Sequence, residues 1–300
     1  MFETFIHKLR NSTCITLETT PSRSAQFTPT VDKIEALGLH HLVDGFSTTD
    51  NPLAKLKYNA LFAAQMLQNR FHKPTLATMS MRDRNRIALQ SDLLGANESN
   101  VRAILALTGD SAHYSDQPHT KGVFEGNSKL LLDIITTLND GTDMAGQKLL
   151  APVQKIYPFA VIDAYAKSAA TLQKKITKKV AHGAIGIISQ PVYDLENAQK
   201  LLTMMAEANR ENNAECVLVL GYFPITKLRT ARFLDENVPG IFVPHEWVEA
   251  LECASLISPE EEYRVGFELS KNLFKELKAL HPKIHIMTAN QFELAKAILS

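Results

Sequence analysis

Eight short apolar segments recur along this chain of 300 residues, and longer stretches with helical periodicity separate them. Most of the segments are almost continuously apolar, which is typical of parallel strands that are covered on both faces. The predicted strands are residues 14–20, 41–48, 74–81, 102–109, 155–162, 183–189, 214–221 and 283–289. Between them, apolar residues at i, i+3 and i+4 predict helices. Examples of these predicted helices are residues 28–39, 52–67, 84–96, 128–139 and 197–210.

Strand and helix therefore alternate eight times, and eight units is the number that closes a parallel barrel. A doubly wound open sheet is the alternative, but it normally carries phosphate-binding glycines after its first strand, and residues 17–24 contain none. We predict a single (β/α)8 TIM barrel over residues 1–300, with an N-terminal helix and a short extra helix after the seventh strand. The long, polar connection after the fourth strand is expected to be functional or mobile.

Composition excludes several classes of protein. The 32 basic residues balance the 32 acidic ones, so nothing suggests a nucleic-acid surface, and the lysines at 174–179 are interpreted as the solvated face of a helix. No apolar run reaches the roughly 18 residues that span a bilayer, and the first residues lack the apolar centre of a secretory signal. Cys14, Cys216 and Cys253 are far apart and fit reduced thiols. We expect a cytoplasmic protein with no metal, membrane or nucleic-acid partner.

Polar residues stand where the predicted strands end, and in a parallel barrel the active site is built at those carboxyl ends. They are Glu18, Thr48, Thr49, Ser80, Arg82, Asp83, Thr108, Asp110, Asp163, Gln190, Thr288 and Asn290. Glu18 is the candidate general acid or base, because a carboxyl group in an apolar barrel mouth is partly desolvated and its pKa rises. Asp110 is either a second carboxylate of this site or a turn residue.

Other polar residues have simpler interpretations. Thr49, Asp50 and Asn290 follow strands where helices begin, so we interpret them as helix N-caps. His285 lies within the last strand and is interpreted as a core residue or part of the site wall. The sequence contains no Cys or His spacing that is typical of a metal site.

Seven segments, taken in chain order, resemble the methylenetetrahydrofolate reductase family. They are ITLETTPSR, STTDNPLAKLK, MRDRNRIALQSDLLGA, ILALTGD, GAIGIISQPVYD, GYFPITKLRTARFL with VPGIFVP, and KIHIMTANQFELAKAIL. Each match is weak by itself, but together they run in family order along nearly the whole chain.

The resemblance implies a barrel that binds FAD in its mouth and reduces 5,10-methylenetetrahydrofolate to 5-methyltetrahydrofolate with NAD(P)H. It implies that Glu18 protonates the bridging nitrogen of the folate, that reduced flavin delivers hydride, and that Asp110 lies near the flavin and the pterin. Flavin-contact positions are Thr49, Thr108, Gly109, Asp110, Asn127, Phe159 and Lys179. Substrate-contact positions are Gln190, Thr230, Leu234 and Gln291. The expected partners are reduced folate and NAD(P)H, and a homo-oligomer is compatible with the resemblance.

The chain departs from the family pattern mainly around the cofactor. Thr78 and Asp163 stand where His is common, Thr108 stands where Arg is common, Leu172 replaces an acid and Gln291 replaces a substrate-binding Arg. The departures keep three alternatives open: hydride transfer from nicotinamide to folate without a flavin, folate-linked methyl transfer, and a non-catalytic barrel that binds folate.

Overall fold

A computed structural model describes residues 1–166, 168–238 and 240–300 of the chain. Its eight parallel strands form a closed barrel in chain order, and the last strand pairs with the first. The strands are β1 (Cys14–Thr19), β2 (Gly45–Thr48), β3 (Thr75–Ser80), β4 (Ala103–Leu107), β5 (Tyr157–Ile162), β6 (Gly186–Pro191), β7 (Val217–Tyr222) and β8 (Lys283–Ile286). The predicted eight-stranded barrel is confirmed.

Helices precede β1 and follow each strand. They are α1 (Phe2–Asn11), α2 (Thr28–Ala36), α3 (Ala60–Phe71), α4 (Arg86–Glu98), α5 (Ser128–Asn139), α6 (Ala169–Ala181), α7 (Leu195–Asn212), α8 (Leu228–Asn237), α9 (His245–Ser255), α10 (Pro259–Leu280) and α11 (Phe292–Leu299). The predicted extra helix after the seventh strand is α9. None of the helices in the described part of the chain is both long and apolar enough to cross a membrane.

Two predicted starting residues were wrong by four or more positions. The helix expected over 52–67 begins only at Ala60, because the side chain of Asn59 accepts hydrogen bonds from the first-turn amides of Leu61 and Phe62 and thereby caps the helix there. The strand expected from residue 41 begins at Gly45, because a short 3-10 turn occupies residues 39–41. Both errors extended an element into an apolar connection, where composition does not mark the end.

The N-terminal end of the barrel is filled by apolar side chains. Strand residues that face the barrel axis form a cluster with one face of α1, and its buried members are Phe2, Phe5, Ile6, Leu9, Cys14, Leu76, Ala103, Leu105, Tyr157, Phe159, Ile188 and Val219. The ring of Phe2 stacks on that of Tyr157 with 5.7 Å between the ring centres. Helix α1 therefore closes this end, and the polar axial residues lie toward the other end.

Candidate functional site

A cavity of about 400 Å³ opens at the carboxyl ends of the strands, and we call it the mouth cavity. Its walls include Glu18, Asp110 and Gln190, which are far apart in the sequence and come from the ends of β1, β4 and β6. The remaining lining residues are Thr20, Thr49, Asp50, Pro52, Thr78, Ser80, Arg82, Leu105, Leu107, Thr108, Gly109, Val161, Ile188, Ser189, His285 and Met287. The structure thus brings together the two predicted catalytic residues and one predicted substrate contact.

Glu18 is the most perturbed acid of the mouth cavity. It lies on the axial side of β1, and its side chain is only 23% exposed. Burial removes water from the carboxylate and raises the pKa of Glu18 to about 7. A carboxyl group with this pKa is partly protonated near neutral pH, so it is able to donate a proton there.

His285 lies beneath Glu18 in a small polar layer across the barrel axis. Its Nδ1 is 2.7 Å from the hydroxyl oxygen of Thr16, and its Nε2 is 3.3 Å from that of Ser47. The Nε2 atom is also 4.0 Å from a carboxylate oxygen of Glu18. Burial lowers the pKa of His285 to about 4, so the imidazole is neutral near pH 7. The neutral ring therefore forms part of the floor of the mouth cavity, beside the hydroxyl groups of Thr16 and Ser47.

The sequence around His285 contains a signal for its position in the barrel. Along β8 the apolar residues Ile284 and Ile286 alternate with Lys283, His285 and Met287. Because successive strand residues face opposite sides, this alternation places His285 on the axial side together with Met287. It lines the mouth cavity there.

Asp110 holds the loop that follows β2. Its Oδ2 accepts a hydrogen bond of 2.7 Å from the backbone amide of Leu53. Leu53 and its neighbours Asn51 and Ala54 have positive φ angles of 54°, 45° and 55°, which side-chain-bearing residues adopt at some cost. Asp116 accepts a further hydrogen bond of 3.2 Å from the amide of Leu56. The long connection after β4 therefore braces a strained loop at the rim of the mouth cavity.

Three interpretations as N-caps were wrong. The carboxylate of Asp50 accepts from the Arg84 guanidinium at 2.6 Å and from the Ser80 amide at 2.9 Å. The side-chain amide of Asn290 exchanges two hydrogen bonds with the backbone of Thr20, at 2.9 and 2.7 Å, and so links the loops after β8 and β1. The hydroxyl of Thr49 is buried and has no hydrogen-bond partner among the residues that the structure describes. These residues serve the rim of the site rather than helix ends.

Gly109 is required by packing at the rim. Its φ is +92°, and a Cβ atom there would lie 2.9 Å from the Cβ of Arg82. Arg82 is 1% exposed and donates two hydrogen bonds to the carboxylate of Asp83 and one to the backbone oxygen of Asn51. The predicted flavin-contact glycine thus has a structural reason to be glycine, independent of any ligand.

A second cavity of about 410 Å³ adjoins the first, and we call it the lysine cavity. It shares Thr108 and Val161 with the mouth cavity. Its other lining residues are Asn127, Ser128, Lys129, Ile162, Asp163, Lys175, Lys178 and Lys179. Burial lowers the pKa of Lys179 to about 8. The interpretation of residues 174–179 as a solvated face therefore holds for the exposed Lys174, Lys175 and Lys178, and was wrong for the largely buried Lys179.

Some predicted contacts have other partners or lie elsewhere. Asn127 lines the lysine cavity, but its side-chain oxygen caps α5 by accepting from the Lys129 amide at 3.0 Å. The hydroxyl of Thr108 accepts from the Ser128 amide at 3.1 Å. Phe159 is buried in the apolar end of the barrel. Thr230, Leu234 and Gln291 line neither cavity. The ligand-binding roles of all these residues stay predictions.

No group of three or more His, Cys, Asp or Glu residues is arranged to hold a metal ion among residues 1–166, 168–238 and 240–300. All three cysteines are free thiols; Cys14 and Cys216 are buried, and Cys253 is exposed.

Known structures share the fold of this chain. An uncharacterized protein from Clostridium thermocellum that binds two copies of 5-methyl-5,6,7,8-tetrahydrofolic acid superposes with a TM-score of 0.66 at 16% sequence identity, over 100% of this chain and 98% of that chain. A 2,3-dimethylmalate lyase, a PEP mutase/isocitrate lyase superfamily member, gives a TM-score of 0.52 at 12% identity, over 98% of this chain and 82% of that chain. At these identities the likeness shows the fold alone.

Comparison of sequences gives a narrower result. Among functionally curated proteins, none matches the chain significantly. The sequence profile of the methylenetetrahydrofolate reductase family matches residues 4–300. Since that match extends over nearly the whole barrel, including β1 with Glu18 and β8 with His285, the chain belongs to the methylenetetrahydrofolate reductase family.

Proposed function

We propose that this protein reduces 5,10-methylenetetrahydrofolate to 5-methyltetrahydrofolate, with FAD as cofactor and NAD(P)H as the source of electrons. The observation that carries the proposal is the position of Glu18, a carboxyl group with a pKa of about 7, in one cavity with Asp110 and Gln190. Family membership supports the choice of this reaction, and the mouth cavity contributes the acid that the reaction needs.

The substrate carries a methylene group between two nitrogens, and it must open before its carbon accepts hydride. Protonation of one bridging nitrogen breaks that nitrogen's bond to the methylene carbon and leaves an iminium ion, whose carbon is electrophilic. Glu18 is the proton donor in this proposal, because burial keeps its carboxyl group partly protonated at neutral pH. The rate of ring opening should therefore fall as the pH rises above about 7, where the Glu18 carboxyl becomes ionised.

Asp110 and Gln190 would hold the pterin ring in this mechanism. The edge of a pterin presents both hydrogen-bond donors and acceptors, which a carboxylate and an amide complement in turn. The position of Asp110 at the rim is fixed by its hydrogen bond to the Leu53 amide, so the carboxylate is held in place before a ligand arrives. Gln190 approaches from the end of β6, where the pairing with β7 shifts register.

The donor set of the two cavities fits FAD. Four lysine ammonium groups border the lysine cavity, and a diphosphate is the part of FAD that such donors suit. In the mouth cavity the buried hydroxyls of Thr49 and Ser80 have no partner within the described part of the chain and are available to a polar ring edge. Lys129, Lys178 and Lys179 would hold the diphosphate. The chemistry that FAD supplies when bound is hydride transfer.

The structural neighbour that binds two copies of 5-methyl-5,6,7,8-tetrahydrofolic acid supports testing a reduced folate first. The experiment begins with an absorption spectrum of the purified protein before and after addition of FAD, where a yellow, reconstitutable protein is expected. NAD(P)H oxidation is then followed with methylenetetrahydrofolate and, separately, with a quinone as the electron acceptor. The proposal is wrong in its central part if the protein with bound FAD forms no 5-methyltetrahydrofolate.

Glu18→Gln separates the acid role from the redox role. The variant should lose folate reduction and keep NAD(P)H oxidation with the quinone, because quinone reduction needs no proton from Glu18. Loss of both activities in a folded variant contradicts the acid role. Glu98→Gln, which changes an exposed glutamate at the end of α4, is the matched control and should retain both activities.

One observation favours a flavin-free alternative. The carboxylate of Asp163 lies in the lysine cavity, where it opposes a diphosphate. In that alternative, nicotinamide reduces the folate directly in the mouth cavity, and Glu18 keeps its role. A colourless protein that does not bind FAD but still oxidises NAD(P)H with methylenetetrahydrofolate would favour it over the main proposal.

A further inference from the structure

The lysine cavity contains one carboxylate among its four ammonium groups. Asp163 follows the end of β5, and its Oδ2 atom is 2.7 Å from the Nζ of Lys175 on α6. Neither side chain is fully buried, with exposed fractions of 37% for Asp163 and 52% for Lys175. The cavity therefore has one of its cations already paired with an internal anion.

The segment after α8 packs against Asp163 and restricts its side chain. The backbone oxygen of Gly240 accepts hydrogen bonds of 3.1 Å from the amides of Ala164 and Tyr165. A Cβ atom on Gly240, whose φ is +82°, would lie 2.8 Å from the Cβ of Asp163. The carboxylate thus stands between this backbone and Lys175, at the wall of the lysine cavity.

We propose that Asp163 limits the affinity of the lysine cavity for diphosphates by pairing with Lys175 and by repelling a second anion. This inference rests on the proposed function, since the diphosphate is that of FAD, and it assigns an affinity-limiting role to a residue that departs from the family pattern. A diphosphate that enters the cavity meets the like charge of Asp163 and competes with it for Lys175. Removal of this one charge should therefore strengthen binding.

Removal of the Asp163 charge also affects Lys179, and this effect opposes the gain in diphosphate affinity. Desolvation lowers its pKa, whereas the nearby carboxylate of Asp163 acts to raise it. Without Asp163, the free protein holds a proton on Lys179 less firmly. A bound diphosphate supplies negative charge of its own next to Lys179, whose Nζ already donates a hydrogen bond of 3.2 Å to the Ser128 hydroxyl. In the complex, the diphosphate therefore replaces Asp163 as the negative charge that keeps Lys179 protonated. The release of Lys175 from Asp163 still strengthens binding.

The test measures diphosphate binding rather than turnover. ADP is titrated into the protein by calorimetry, as a diphosphate without a flavin ring, and FAD is titrated by quenching of its fluorescence. Asp163→Asn should bind ADP and FAD about tenfold more tightly than the wild-type protein, for one unit charge removed within several ångströms. Lys175→Gln should bind both more weakly, and the double variant should return toward the wild-type affinity because the pair is removed together.

Asp140→Asn is the matched control. It removes the same charge at the C-terminal end of α5, which is 12 residues long, so the change lies roughly 18 Å from the end that borders the lysine cavity. At moderate salt a charge at that distance is screened, and the affinity should change less than about twofold. A thermal melt of each variant checks that it is folded before binding is measured.

The outcomes separate this inference from the proposed function. If Asp163→Asn tightens ADP while FAD binds to neither protein, the inference stands and the flavin part of the proposed function falls. If wild-type protein binds FAD and Asp163→Asn binds it equally or more weakly, the inference is overturned while the proposed function stands. If no variant binds either compound, the lysine cavity is not a diphosphate site and the inference is overturned as well.

Discussion

Glu18→Gln should stabilise the protein, and the gain should grow with pH. The free energy of unfolding changes by about 1.4 kcal/mol per pH unit over the range in which a group is protonated in the folded chain but not in the unfolded one. Burial raises the pKa of Glu18 from 4.5 to about 7. The cost of ionising the buried carboxyl group therefore sums to about 3 kcal/mol, which is a large part of the stability of an ordinary domain.

The sign follows from which state binds the proton. Between pH 4.5 and about 7 the folded chain keeps the Glu18 proton and the unfolded chain has lost it, so this residue makes the free energy of unfolding fall as the pH rises. His285 acts in the opposite direction. Its pKa is lowered from 6.5 to about 4, so the stability that it contributes is present above pH 6.5 and is lost as the pH falls toward 4. In the wild-type protein the two slopes oppose each other over much of the same range.

The difference in the free energy of unfolding between variant and wild type isolates the contribution of Glu18. Urea unfolding is measured at several pH values between 5 and 8 for the wild-type protein, Glu18→Gln and the exposed control Glu98→Gln. The difference for Glu18→Gln should rise by about 2 to 3 kcal/mol across this range, whatever constant offset the amide introduces. The control should show no such trend. A difference that is flat or falls with pH would refute the reasoning that Glu18 is desolvated in the barrel mouth.

Three further predictions concern the barrel and its site. Phe2→Ala should lower the free energy of unfolding by about 3–5 kcal/mol in urea titrations, because it leaves a cavity against Tyr157 at the closed end. A loss below about 1 kcal/mol would contradict the role of α1 in closing this end of the barrel. Gly109→Ala should cost about 1–3 kcal/mol and raise KM for the folate, since its Cβ would collide with Arg82; unchanged stability would show that the loop adapts freely. Gln190→Ala should raise KM for methylenetetrahydrofolate about tenfold and leave NAD(P)H–quinone kinetics unchanged, and an unaltered KM would remove its pterin contact.

The barrel was predictable because strands that are buried on both faces are almost continuously apolar in sequence. Each strand of a closed parallel barrel contacts helices outside and side chains inside, so its sequence is a short apolar run. Every predicted run overlaps a strand of the structure. Glu18 was predictable for the same reason: a glutamate at the end of such a run has no structural use as a helix cap, so it stood out as a candidate acid.

Side-chain partners across the barrel mouth could not be predicted in this way. Asp50 and Asn290 have the residue types and positions of N-caps, but the guanidinium of Arg84 and the backbone of Thr20 are closer partners in space. The choice between a local and a distant partner depends on where loops from different strands meet, and no pattern within one loop contains that information.

The sequence alone determined which residues end the strands, and so that Glu18, Asp110 and Gln190 would meet, because parallel strands bring their carboxyl ends to one face. Only the tertiary structure decided what surrounds each of them. The pKa of Glu18, the pairing of Asp163 with Lys175 and the burial of Lys179 all depend on distance and on the exclusion of water. Electrostatic interactions follow these two quantities and not the order of residues along the chain.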